Sequence, residues 1–137
     1  MSNICFCQRA GHPTFSYFCK KIHTTMLEYF NEVPYSVTVC DKDGKILEMN
    51  EMAVNVLSHG QQIIGHNLLD CHPEPARTKL AEMLQNHNVN AYTIEKNGVK
   101  KLIYQSPWFQ DGEFAGYIEL SMEIPIEMPH YVRMPKN

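Results

Sequence analysis

The sequence has no long apolar run. None approaches the ~20 residues of a membrane-spanning helix, and the opening MSNICFCQRAGHPTF lacks the apolar core of a secretory signal. It also has no basic patch. Lys and Arg number 12 against 15 Asp and Glu, a net charge of −3. Lys20-Lys21 and Lys100-Lys101 are too short to form the clustered cationic surface that nucleic acid requires. Neither a membrane nor a nucleic acid is therefore an expected partner. No C-x2-C pair of the kind that frames zinc sites occurs. Five cysteines, an odd number, fit free thiols in a reducing compartment better than a disulfide framework. The expectation is a cytoplasmic protein. No repeat or low-complexity segment is present, and 137 residues suit one domain, or one domain with a tail.

What is present becomes regular only after residue 25. Residues 1–25 show no sustained period and read as an N-terminal extension, with Met26 an alternative start. Thr25 to Val33 reads as a short helix ended by Pro34. Tyr35, Val37 and Val39 alternate with Ser36, Thr38 and Cys40 as in a half-buried strand. Asp41-Lys42-Asp43-Gly44 is a turn, and Lys45 to Met49 returns as the second strand of a hairpin. Asn50 is a good N-cap for a helix with Met52, Ala53, Val56 and Leu57 on one face and Gly60 beyond its end. Leu68 to His72 gives one helical turn before Pro73. Glu74 to Asn86 is helical by its stripe of Ala76, Leu80, Met83 and Leu84.

The last third is β. Asn97-Gly98 is the strongest short hairpin signal, since a type I′ turn needs positive φ twice. It joins the strand Ala91–Lys96 to Val99–Phe109. Asp111-Gly112 then turns into Phe114–Ile124, where Phe114, Gly116, Ile118, Leu120, Met122 and Ile124 alternate with Ala115, Tyr117, Glu119, Ser121 and Glu123. Residues 26–126 form the domain and 127–137 a tail. The fold class is α+β: a five-stranded antiparallel sheet with short helices on one face.

Two clusters carry candidate chemistry. Cys71-His72 sits just before a helix. Adjacent helical residues point about 100° apart, so they seldom chelate one ion together, although His66 is within reach as a third ligand. A Cys/His nucleophile also needs an oxyanion site and an orienting residue, and the sequence reveals neither. The plainer expectation is that Cys71 is a small buried hydrophobe and His72 a capping or pocket-lining group. A small enzyme using Cys71 is the alternative. Cys5, Cys7, Cys19, His12 and His23 form the second cluster, with a Cys-x-Cys spacing tighter than common zinc sites.

The order of elements, together with the Asp41–Gly44 turn, Asn50, Ile64-Gly65 and the stretch Asp111-Gly112-Glu113-Phe114-Ala115-Gly116-Tyr117, resembles the PAS domain over about Glu32 to Ile124. That resemblance implies a non-enzymatic sensor and interaction module with a cavity between sheet and helices. It also implies a homodimer, formed through the outer sheet face and the helix before the first strand, and a signalling partner for a stand-alone module. Of the cofactors the family holds, flavin bound through cysteine is not expected, because Leu68 stands where the reactive cysteine would be. Haem lacks its usual ligand, since Leu80 stands at that position, and His72 or His87 would have to substitute. The ligand itself is left open. Its expected lining is Met52, Val56, Leu68, Cys71, His72 and Leu80 from the helices, with Leu102, Tyr104, Ser106, Ile118 and Leu120 from the strands. The Trp108 indole, with Tyr104 and Ser106, is placed to orient a polar ligand group. Trp108, Phe109, Phe114 and Tyr117 are read as an exposed aromatic patch.

Overall fold

A computed structural model describes residues 26–57, 59–61 and 63–135. The extension 1–25, with Cys5, Cys7, His12, Cys19 and His23, lies outside the described residues. Met26–Phe30 forms a 3-10 turn. β1 (Ser36–Asp41), β2 (Ile46–Met49), α1 (Glu51–Leu57), α2 (Leu68–Cys71), α3 (Ala76–Asn86), β3 (Asn90–Lys96), β4 (Val99–Gln110) and β5 (Glu113–Ile124) follow. The strands make one antiparallel sheet in the order β2-β1-β5-β4-β3. Residues 127–135 carry no helix or strand and are exposed.

The hairpins form where turn chemistry demands them. Asp41 Oδ1 accepts from the amides of Asp43 and Lys45, each at 2.9 Å. Asn97 and Gly98 have φ of 54° and 76°, the type I′ signature. β1 is buried on both faces rather than one. Ser36, Val37, Thr38 and Cys40 are all enclosed.

Asn50 holds the front of the molecule together. Its side chain is fully buried. Oδ1 accepts from Ala53 N, capping α1, and from Val37 N in β1, both at 2.9 Å. Nδ2 donates at 2.8 Å to the carbonyls of Phe30 and Tyr35. The Asn31 carbonyl is also engaged, by Glu51 N at 3.2 Å. With these carbonyls committed outward, the expected helix Thr25–Val33 is, among the described residues, the single turn Met26–Phe30.

A bulge decides which way β5 faces. Phe109 pairs with Phe114, but Trp108 pairs with Gly116, so Ala115 is an extra residue. Phe114 and Tyr117, three apart, therefore both face the helices, where they pack around Cys40 and Met83. This overturns the expectation that Phe114 and Ile118 share a face. Gly116 has φ +148°, and a Cβ there would collide with the Cys40 carbonyl and the Asp41 backbone. The Trp108 indole Nε1 donates to that same carbonyl at 2.9 Å.

Two substitutions test these joints. Asn50→Ala removes a cap and orphans a buried amide and two carbonyls, so it should lower unfolding free energy by about 3 kcal/mol. Gly116→Ala should cost more than about 2 kcal/mol. Urea denaturation of each variant against the parent protein measures both.

Candidate functional site

Between α1–α3 and the inner sheet face lies a cavity of about 510 Å³, within the range of small-molecule sites. Its apolar wall comes from Ile46 and Met49 of β2, Leu68 of α2, Leu80 and Met83 of α3, and Ile103 of β4. Leu57, Cys71, Lys79, Tyr92 and Ile94 also line it and are exposed, so they form its rim.

The floor is polar. Asn90 pairs with Gln105 across β3 and β4, Gln105 with Glu119 across β4 and β5, and Glu119 with Thr38 across β5 and β1. The four side chains make one row on the cavity side. Asn90 Nδ2 donates to Gln105 Oε1 at 2.7 Å, and Gln105 Nε2 donates to Glu119 Oε2 at 2.6 Å. An ionised carboxylate only accepts, so it sets the direction of the whole chain. At the far end Thr38 is 5% exposed, and its Oγ1 is buried without a hydrogen-bond partner.

Two more groups on the wall have fixed chemistry. His72 Nδ1 lies 2.7 Å from the Leu68 carbonyl oxygen, which only accepts, so Nδ1 carries the hydrogen. Nε2 of the neutral ring is then the bare nitrogen, the arrangement of a histidine able to hold a metal or a haem iron. The Tyr117 hydroxyl lies 2.8 Å from the Met83 carbonyl and 2.9 Å from that of Asn88, tying β5 to the end of α3. Burial, with Cys40 beside it, pushes the Tyr117 phenol up. Burial above all, helped by nearby Asp41 and Glu119, pushes the Cys40 thiol up to about 11.

Of the residues expected to line the cavity, Leu68, Cys71, His72 and Leu80 do so. Met52, Val56, Leu102, Tyr104, Ser106, Ile118 and Leu120 do not. From α1 Leu57 lines the cavity, while Ala53, one turn before it, is buried against Ile46 and Met49, and Met52 and Val56 lie away from the recess. On β4 and β5 the inward residues are Ile103, Gln105, Tyr117 and Glu119, so Leu102, Tyr104, Ser106, Ile118 and Leu120 stand on the outer face. Apolar alternation pointed to that outer face because the cavity floor is the more polar one. Ser106 Oγ donates to the Pro107 carbonyl at 3.2 Å, and the Trp108 indole is spent on Cys40.

Other expectations change as well. Cys71 is exposed rather than buried, and among the described residues the buried thiol is Cys40. The aromatic patch is a packed chain: His87 stacks on Phe114 at 3.8 Å, and Phe114 meets Tyr117 and Phe109 edge-on. Only Phe109 of these phenyl rings is well exposed, at 55%. His87 is absent from the cavity lining, which leaves His72 as its imidazole. Among the described residues no three of His, Cys, Asp and Glu gather as a metal site. No described helix is long and apolar enough to cross a membrane.

Thr38, Asn90, Gln105 and Glu119 line the cavity and are not among the residues expected there. One signal was available: counting back from the Asn97-Gly98 turn sets Asn90 opposite Gln105, two amides on adjacent strands.

The thiols give a direct test. In the folded protein Cys71 should be alkylated readily while Cys40 is protected until unfolding, as peptide mass spectrometry of iodoacetamide-treated samples will report. The Cys40 thiol is neutral when folded. Its contribution to stability is complete below pH 9.0 and should be lost as pH rises towards about 11, measured against Cys40→Ala.

No family model and no curated protein matches the chain. Solved structures do. A sensory box sensor histidine kinase from Vibrio cholerae superposes with TM-score 0.56 at 15% identity, covering 73% of this chain and 89% of that one. The PAS domain of BvgS from Bordetella pertussis gives 0.52 at 20% identity, covering 72% and 86%. The PAS domain of the histidine kinase ThkA gives 0.52 at 19%, covering 64% and 97%. The sheet order β2-β1-β5-β4-β3 with short helices on one face is the architecture shared with these domains.

Proposed function

We propose that this chain, which has the PAS fold, is the sensing domain of a signalling system, and that its input is a small molecule held in the cavity. The observation that carries this reading is the recess itself: about 510 Å³, apolar on its walls, with a polar row across its floor. A few placed polar groups in an apolar concavity are what a specific small-molecule site requires. The sensor-kinase domains sharing the fold support a role in signalling.

The mechanism is a shift of population. A ligand that touches both α2–α3 and the sheet favours one arrangement of the two layers. Tyr117 carries the change, since it lines the cavity and reaches the Met83 and Asn88 carbonyls. No chemical conversion is assigned to the cavity.

The outer sheet face offers the output. Leu120 and Tyr104 stand in register across β5 and β4, and Leu102 faces Met122 beside them. Tyr104 is 39% exposed, and Leu102, Ile118, Leu120 and Met122 are half-buried. This apolar face is assigned to a second copy of the chain, an isologous contact through which a change in layer packing is read.

Native mass spectrometry with an absorption spectrum of the purified protein tests the whole reading. The expected result is a dimer carrying a bound small molecule. A Soret band lost on His72→Ala would identify that molecule as haem on His72. A bare monomer at high micromolar concentration, with no mass gained from a cell extract, would overturn the proposal.

A further inference from the structure

The polar floor carries information about what the cavity holds. Its chain of hydrogen bonds runs from Asn90 through Gln105 and stops at Glu119 Oε2, which uses one carboxylate oxygen and leaves Oε1 without a hydrogen-bond partner among the described residues. The next side chain in the row, Thr38, is more than nine-tenths buried, lines the cavity, and has an Oγ1 with no partner at all. Glu119 and Thr38 face each other across β5 and β1. Side chains so paired have Cβ atoms about 5 Å apart, so their oxygens can grip one small group between them. A buried hydroxyl left unpaired is costly, and a native site that tolerates one has a use for it.

Charge narrows the choice. Lys79 and Glu119 are the ionic residues on the lining. Lys79 is exposed on the rim. Ion pairs among the described residues are Lys42 with Asp43 and Arg77 with Asp70, so Glu119 has no cationic partner. The Cys40 thiol and the Tyr92 phenol beside it are both pushed up, first by burial, and stay neutral. The floor therefore bears a single negative charge, half-buried, next to an orphaned hydroxyl that can accept as well as donate.

We infer that the ligand carries a protonated amine, seated between Glu119 and Thr38, with an apolar body against Met49, Leu68, Leu80 and Ile103. This rests on the cavity being a ligand site, as proposed above. An ammonium supplies three donors, enough for Glu119 Oε1 and Thr38 Oγ1 with one to spare. An anionic ligand would meet the Glu119 carboxylate head-on, and a neutral one would leave its charge unmatched.

Six probes separate charge from shape: the ethylammonium, ethanol and acetate derivatives of a phenyl and of an indolyl ring. Each is titrated by calorimetry into the full chain. The amines should bind about tenfold more tightly than the matching alcohols, and the acetates most weakly. Glu119→Gln should erase the preference for amine over alcohol while alcohol binding persists. Thr38→Val, which keeps the shape, should raise the melting temperature of the ligand-free protein and weaken amine binding alone. If Glu119→Gln does not fold, Thr38→Val makes the same comparison. Equal binding of amines and alcohols, or a preference that survives both substitutions, would overturn the inference and leave the cavity reading standing. Failure of all six to bind would overturn both.

Discussion

The structure hangs on one buried amide. Asn50 has nowhere to send its polar atoms except to protein, and all four of its hydrogen bonds go to different elements: β1, α1, the entry turn and the segment that joins that turn to β1. Loss of any partner would leave an unmet group at zero exposure, which is expensive in a medium that water does not reach. The amide therefore fixes how α1 lies on the sheet. Leu57 then faces the recess, while Ile46, Met49 and Ala53 close one side of the core.

A second tension lies in the sheet. Ordinary core packing would put its most apolar face beneath the helices. Here a polar row of Thr38, Asn90, Gln105 and Glu119 crosses the inner face between Cys40, Ile103 and Tyr117, and the outer face carries Val37, Leu102, Ile118, Leu120 and Met122. The polar row is tolerated because its members satisfy one another up to Glu119, and the helices above it leave space instead of pressing down. A cavity and an apolar outer face are two sides of the same arrangement.

This inversion explains what could be read from the sequence. The turns at Asp41–Gly44 and Asn97-Gly98 are local chemistry, and both hairpins stood out from them. The cap at Asn50 and the helical stripe through Leu80 and Met83 were equally local. Leu68, His72 and Leu80 line the cavity as helical spacing and Pro73 suggest, while Cys71 lies on its exposed rim. The strand faces were not legible. Alternation tells two faces apart without saying which is inside, and hydrophobicity chose the outer one. The bulge at Ala115 also changes parity within β5, and beside it the close approach of Gly116 to Cys40 joins residues far apart in the chain.

The sheet order has a consequence for time as well as for shape. β5 is the last strand made, yet it lies at the centre, pairing with β1 on one side and β4 on the other. Until it arrives, the β1–β2 and β3–β4 hairpins are separate local structures, and joining them closes a long loop, a slow event in folding. The recess exists only after that seam has zipped. Thr38 and Glu119 sit on opposite lips of the seam. Whatever grips both is a rivet between the two halves, and it would lengthen the life of the folded state by holding that joint shut.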